Sequence, residues 1–354
     1  WLDVLGSTSF PVDNNDHGTH TVGTMTGVAP DDTIGIAPGA QWIASNAIDQ
    51  GAGSELDNDI IASFQWFADP DGQPGTIDDV PDVVQNSWGV NENFAGYYDC
   101  DDRWWDVIDN CEAAGVVVVF SAGNEGPGAG TLRSPSDRAS SIFNCFSVGS
   151  TEYYAPYAIS SFSSRGPTTC AFVDPAVGIK PEVSAPGGNI YSAQPGGGYQ
   201  YMSGTSMAGP HVSGVVALMR SANPNLEVNV IKQILMDTAV DLGTTGEDNT
   251  YGWGFIDAYA AVEACMTGFG TLSGQVTNAS FGDVPIAGAM VTVQGWGSGS
   301  TTDANGVFVT SLPAGEYSVV VSRAGFETVE IQNVTVTDNQ ETIQDFAMTD
   351  NAGP

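Results

Sequence analysis

Ser203-Gly204-Thr205-Ser206-Met207-Ala208-Gly209-Pro210-His211 leads directly into an apolar run at 212–219. Small residues and glycines before a run of that kind predict a tight turn opening a buried helix, with Ser206 in its first turn. Unpaired backbone N–H groups and the positive end of the helix dipole converge there. A hydroxyl held at that point can attack a carbonyl, and the negative oxygen so formed meets donors already in place. Gly-x-Ser alone usually marks nothing more than a turn. The reading therefore requires a base and an oxyanion donor elsewhere in the chain.

The chain holds three histidines, His17, His20 and His211. His211 follows Ser206 by five residues on the same expected helix, roughly 140° round it, so it points away from the hydroxyl. That leaves His17 or His20 in His17-Gly18-Thr19-His20, and spacing does not separate them. For the donor, the β-branched run 116–120 predicts a central parallel strand, and it runs into Ser121-Ala122-Gly123-Asn124-Glu125-Gly126. An amide N–H₂ at the carboxyl end of such a strand can face a developing oxyanion without carrying charge. Further strands are expected at 41–47, 81–89 and 146–150, and helices at 54–68, 101–114, 228–238 and 255–266. This alternation predicts an α/β fold with a largely parallel sheet flanked by helices.

Taken in order, the segments around His17, Asn124 and Ser206 resemble the motifs of the subtilisin-like serine proteases. The resemblance covers residues 1–266. Gly-Thr-Ser-Met-Ala-Gly-Pro-His and Gln85-Asn86-Ser87-Trp88-Gly89 are most similar to the bacillopeptidase F branch. It implies that the first histidine of His-Gly-Thr-His, His17, is the general base. Ser206 is then the nucleophile, and Asn124 with the Ser206 backbone N–H forms the oxyanion site. Ser87, Trp88, Gly89, Ala122 and Gly123 would carry the substrate, its backbone added as a strand. Arg133 aligns with the base of the pocket for the side chain before the scissile bond, where a cation favours acidic side chains. Its blander role is an ion pair with Asp137 or another nearby acid. The family also sets an orienting aspartate in an Asp-Thr/Ser-Gly motif well upstream of the histidine. Asp3, Asp13 and Asp16 do not fit that motif, so the aspartate is expected to be encoded upstream of Trp1. A chain without it would be a weak enzyme, or a non-catalytic binding module on a protease scaffold.

Composition narrows the remaining classes. Against 42 Asp and Glu stand 8 Lys and Arg, a formal charge of −34, which repels nucleic acid and anionic membrane surfaces. The family resemblance implies protein or peptide substrates and an extracellular, secreted setting. Five cysteines form no Cys-x-x-Cys, which argues against zinc. Four of them could make two disulfides in an oxidising compartment. The acids at 69–72 and 78–79 read as a surface turn, because they lack a twelve-residue calcium loop with its closing Glu. No metal site and no required cofactor are expected, although structural calcium is compatible with the acidic surface. From 272 to 349 short alternating runs with turn signals predict a small all-β sandwich. Its segments resemble the carboxypeptidase-regulatory-like family; surface or matrix contact, stabilisation, spacing and an inert structural role all fit it. The organisation read from sequence is a peptidase domain at 1–266, a linker at 267–271, the sandwich, and a tail at 350–354.

Overall fold

Val117, Val118, Val119 and Phe120 have no exposed surface, which requires cover on both faces of their strand. In the computed structural model that strand, β2 (Val117–Ser121), lies between β1 (Val83–Asn86) and β3 (Phe146–Glu152). With β4 (Val183–Gly188) they form a parallel sheet in the order β1-β2-β3-β4. The structure describes residues 1–354 except 7, 30–32, 49, 74–75, 172–173, 295–298 and 352–354. The end of the 350–354 tail thus lies outside the described residues.

The helices of this part are α1 (His17–Thr26), α2 (Ser54–Ala68), α3 (Trp105–Ala113), α4 (Thr205–Ala222), α5 (Val228–Asp237) and α6 (Ala258–Met266). In α2, Leu56, Ile60 and Phe64 recur four residues apart and are all buried. Glu55 and Asp57 occupy its first turn, where negative charge opposes the dipole favourably. α2 packs on α3, and their apolar faces join Trp104, Val118 and Phe120 in one core. A two-stranded antiparallel ribbon, β5 (Ile190–Ala193) with β6 (Tyr199–Met202), precedes α4.

After α6 the chain is all β. Strands β7 (Phe269–Asn278), β8 (Val284–Pro285), β9 (Met290–Val293), β10 (Gly299–Thr301), β11 (Val307–Pro313), β12 (Gly315–Ser322), β13 (Val329–Val336), β14 (Glu341–Ile343) and β15 (Phe346–Met348) follow one another. They form one sheet in the order β10-β9-β12-β13 and a second around β7. Val291, Val319 and Val321 from the first meet Leu272, Phe308 and Leu312 from the second in a common core, as a sandwich requires. The sheets are antiparallel except that β14 and β15 run parallel to β7. By its internal contacts the chain divides into Trp1–Leu218 with Lys232–Ala261, and Met219–Ile231 with Val262–Pro354. No helix among the described residues is long and apolar enough to cross a membrane.

Three expectations need correction. Residues 41–47 form no strand, only a single bridge between Ser45 and Leu2; a segment cannot become a strand where no neighbour supplies a ladder. The expected linker at 267–271 is shorter than read, because Phe269 and Gly270 already pair with Pro313 and Leu312 in the β7–β11 ladder. One disulfide forms, Cys100–Cys170, not two, and Cys111, Cys145 and Cys265 are free and buried. Burial pushes the Cys111 and Cys145 thiols up to about 12, so neither can supply a thiolate nucleophile near neutral pH.

Candidate active site

Ser206 is the second residue of α4, and the local sequence explains how it is held. A proline four residues on, Pro210, has no N–H to give to the Ser206 carbonyl. That carbonyl accepts instead from Ser87 Oγ at 2.9 Å, and the neighbouring Thr205 carbonyl accepts from Ser121 Oγ at 2.9 Å. Both serines sit at the carboxyl ends of parallel strands, Ser87 just past β1 and Ser121 at the end of β2. The Ser206 hydroxyl donates to the Ser87 carbonyl at 3.4 Å, a long and weak bond that leaves it readily diverted.

Asn124 follows β2 by three residues and is exposed. Its Oδ1 accepts from the Thr205 N–H at 2.9 Å and from Thr205 Oγ1 at 3.0 Å. The amide is thereby turned, with Nδ2 left to face outward. A Cβ built on Gly204 would lie 3.7 Å from Asn124 Nδ2 and 3.6 Å from the Ser206 nitrogen. Two N–H donors thus flank the space over Gly204, and any side chain there would enter it. Gly204 was part of the motif read from sequence, but its role as the residue that keeps this space empty was not. A side-chain oxygen turning an amide was equally unreadable, since Asn124 and Thr205 are eighty-one residues apart.

His17 is the first residue of α1 and is partly buried. Asp13 accepts from the Thr19 N–H at 2.6 Å and the Asn15 N–H at 3.1 Å, so it caps the first turn of α1, where the preceding Asp16 makes no side-chain cap. Burial pushes the Asp13 carboxyl up, but its hydrogen bonds with Thr19 and Asn15 outweigh that and hold it below its usual value. Burial of the His17 ring pulls its pKa down, the Asp13 charge opposes this, and His20 adds to it. Among the described residues no hydrogen bond joins the His17 imidazole to a carboxylate or to Ser206. His20 is fully buried with Nε2 at 3.0 Å from the Ile190 carbonyl, and His211 holds Nδ1 at 2.9 Å from the Met207 carbonyl. Burial pulls His211 down to about 4. The two later histidines are therefore tied to backbone, and His17 is the one not so engaged.

The remaining predicted residues divide by how they are used. Trp88 packs its ring against the core, edge-on to Trp104 at 5.2 Å and to Phe120 at 5.8 Å, and is partly buried. Ala122 is buried, and the Gly123 N–H and carbonyl are both engaged by Thr205 Oγ1. Arg133 donates to the Gly89 carbonyl at 3.4 Å and from its backbone to the Ala122 carbonyl at 3.3 Å. It stands beside both segments, and its guanidinium pairs with Glu125, not Asp137. Sequence alone gives Glu125 no role, since its separation of eight residues from Arg133 carries no signal. Asp137 instead accepts from Ser134 Oγ and the Cys100 N–H.

Oxygens of Asp69, Asp71 and Asp79 lie within 4.8 Å of one another, a donor set of the kind that could hold a hard cation. The other such group, Cys100, Asp137 and Cys170, has its sulfurs committed to the disulfide.

Residues 3–254 match the subtilase family, and residues 271–349 match the carboxypeptidase regulatory-like domain. The chain is 39% identical to Bacillopeptidase F of Bacillus subtilis (strain 168) over 291 residues, covering 78% of this chain but 19% of that protein. It is 32% identical to Subtilisin DY of Bacillus licheniformis over 273 residues, 74% of this chain and 85% of the other. Among solved structures, Sphericase superposes with a TM-score of 0.59 at 30% identity, covering 72% of this chain and 82% of its own. The match over most of the length, with the nucleophile, amide and histidine segments in their order, has one meaning: the chain belongs to the subtilase family.

Proposed function

We propose that the protein is a secreted serine endopeptidase that hydrolyses peptide bonds through an acyl-enzyme on Ser206. The observation that carries this reading is the pair of N–H donors, Asn124 Nδ2 and the Ser206 backbone nitrogen, both within 4 Å of the space that Gly204 leaves open. In the proposed reaction His17 takes the proton from the Ser206 hydroxyl as the oxygen attacks the substrate carbonyl. The oxyanion is stabilised by the two donors, and His17 returns the proton to the leaving amine. Water repeats the sequence to release the acyl group. Every group named is a side chain or backbone N–H, so the chemistry needs no cofactor. Family membership supports peptide or protein substrates, and the Cys100–Cys170 disulfide supports an oxidising, extracellular setting. The C-terminal sandwich is assigned surface or matrix contact.

Treatment with diisopropyl fluorophosphate tests the reading. One phosphoryl adduct on Ser206 is expected by intact mass and peptide mapping, and none in Ser206→Ala. A wild-type chain without an adduct would instead make this a binding module on a protease scaffold. The His17 imidazole, which among the described residues bonds to no carboxylate, is the observation that favours that alternative. Replacing Asn124 by Ala should lower turnover about 10²–10³-fold with little change in KM, because its amide acts on the transition state.

For the residue before the scissile bond we assign a preference for acidic side chains, read by Arg133 against the charge of Glu125. The pair is about a quarter exposed, with side-chain accessibilities of 28% and 27%, so an incoming carboxylate can share the guanidinium. Peptides differing only by Glu or Phe at that position should be cleaved faster with Glu. Glu125→Gln should widen the ratio severalfold, the scale of a partly exposed ion pair of about 1 kcal/mol. Equal rates for Glu and Phe in both forms would remove the assignment.

A further inference from the structure

On α4, Ser206, Gly209 and Ser213 follow one another at the spacing that puts them on one face. That face meets the side chain of Gln85 from β1. Gln85 Nε2 donates to Ser87 Oγ at 3.0 Å and to Ser121 Oγ at 3.4 Å, and its Oε1 accepts from Ser213 Oγ at 2.8 Å. The two hydroxyls it touches are the ones that donate onward to the carbonyls of Ser206 and Thr205, each at 2.9 Å. Gly209 makes this possible, because a Cβ there would lie 2.8 Å from Gln85 Cδ and fall on the carboxamide. Ser121 and Ser213 are buried, so water does not readily compete for the bonds that they make.

We infer that Gln85 is a positioning residue for the nucleophile: lodged against Gly209, its carboxamide orients the Ser87 and Ser121 hydroxyls, and these fix the first turn of α4. The inference rests on the reading of Ser206 as nucleophile. Its physical basis is Pro210. In an unbroken helix the Ser206 carbonyl would be held by the N–H four residues on; here that donor is missing, and the carbonyl depends on Ser87. A serine hydroxyl can rotate to other acceptors, and the Gln85 amide removes that freedom by donating to the hydroxyl oxygen, which directs its own hydrogen toward α4. Without the amide, Ser206 can drift by a fraction of an ångström. A misplacement of about 1 Å can lower a rate by about a hundredfold.

The test compares wild type with Gln85→Met, which keeps the length and volume while removing the hydrogen bonds. The readouts are the inactivation rate by diisopropyl fluorophosphate, with adducts counted on Ser206, and kcat and KM on a peptide, all per folded molecule. Inactivation and kcat are expected to fall ten- to a hundredfold, KM to change less than about threefold, and the acid inflection of the pH profile to stay where it is. A nucleophile out of place lowers the plateau without altering the base. Gly209→Ala gives a second, independent variant. It should be costly in wild type and nearly silent in Gln85→Ala, where the clashing group is gone. If Gln85→Met melts at lower temperature but reacts at the wild-type rate per folded molecule, the residue is only structural and the inference falls. If wild type itself takes no adduct on Ser206, the functional reading fails first and this inference with it.

Discussion

His17→Ala is expected to lower peptide hydrolysis by about one to two orders of magnitude, the share of a serine–histidine–aspartate unit's effect that is left where no carboxylate orients the ring. The fold should survive, since the ring is only partly buried and Asp13 would still cap α1 through Thr19. The wild-type pH profile gives the same prediction a second face. His17 accepts a proton only when neutral, and burial holds its pKa below the ordinary histidine value of about 6.5. Activity should therefore rise with pH along an acid limb lying below about 6.5 and stay level above it. The charged and titratable neighbours that act on the ring are Asp13, which raises its pKa, and His20, which lowers it. Asp13→Asn removes the raising influence while keeping a side chain able to cap α1. The acid limb should move to lower pH, with a smaller change in the plateau. Measuring kcat/KM from pH 4 to 9 for the three proteins checks both statements. An Asp13→Asn limb at unchanged or higher pH would show that Asp13 does not act on the base.

What could be read from sequence follows from where the physics is local. A helix opening that holds a nucleophile needs small residues, glycine and serine within a few positions, so 203–211 announces itself. The strand that leads to Asn124 is marked by its β-branched run, and α2 by apolar residues four apart. Legibility ends where function depends on a partner far along the chain. Thr205 turning the Asn124 amide, Glu125 holding Arg133, and Gln85 meeting Gly209 and Ser213 each join segments whose pairing no spacing rule supplies. The 41–47 segment forms no strand for a related reason: the residue types along a segment do not say whether a neighbouring strand exists to pair with it. Charge had a similar limit. A formal charge of −34 describes the surface, yet it says nothing of the two lysines, Lys180 and Lys232, which turn out to be wholly buried.

Those lysines carry the largest expected effect on stability. Lys180 Nζ pairs with Glu182 and donates to the carbonyls of Asn144 and Cys145 at 3.2 and 3.3 Å. Glu182 is also buried and accepts from the Ser147 N–H at 2.6 Å and its hydroxyl at 2.9 Å. Burial pushes the Glu182 carboxyl above its usual value, and Lys180 opposes that push. Lys180→Met keeps the volume but leaves a carboxylate in the core without its counter-charge, a loss of about 3–5 kcal/mol at neutral pH. The sign of the pH dependence follows. Without Lys180 the folded-state pKa of Glu182 rises further, so at low pH the carboxyl is protonated in the folded protein and the penalty is small. As pH rises past the usual glutamate value the unfolded chain ionises more readily than the folded one, and the penalty grows until the buried group also loses its proton. Denaturant melts of Lys180→Met should accordingly show a smaller deficit at pH 5 than at pH 8. Adding Glu182→Gln should recover much of the loss, because a neutral amide can keep the Ser147 bonds without a charge to desolvate. A deficit that does not vary with pH and is not relieved in the double variant would mean that packing of the lysine stem, not the buried charge, is what the core requires.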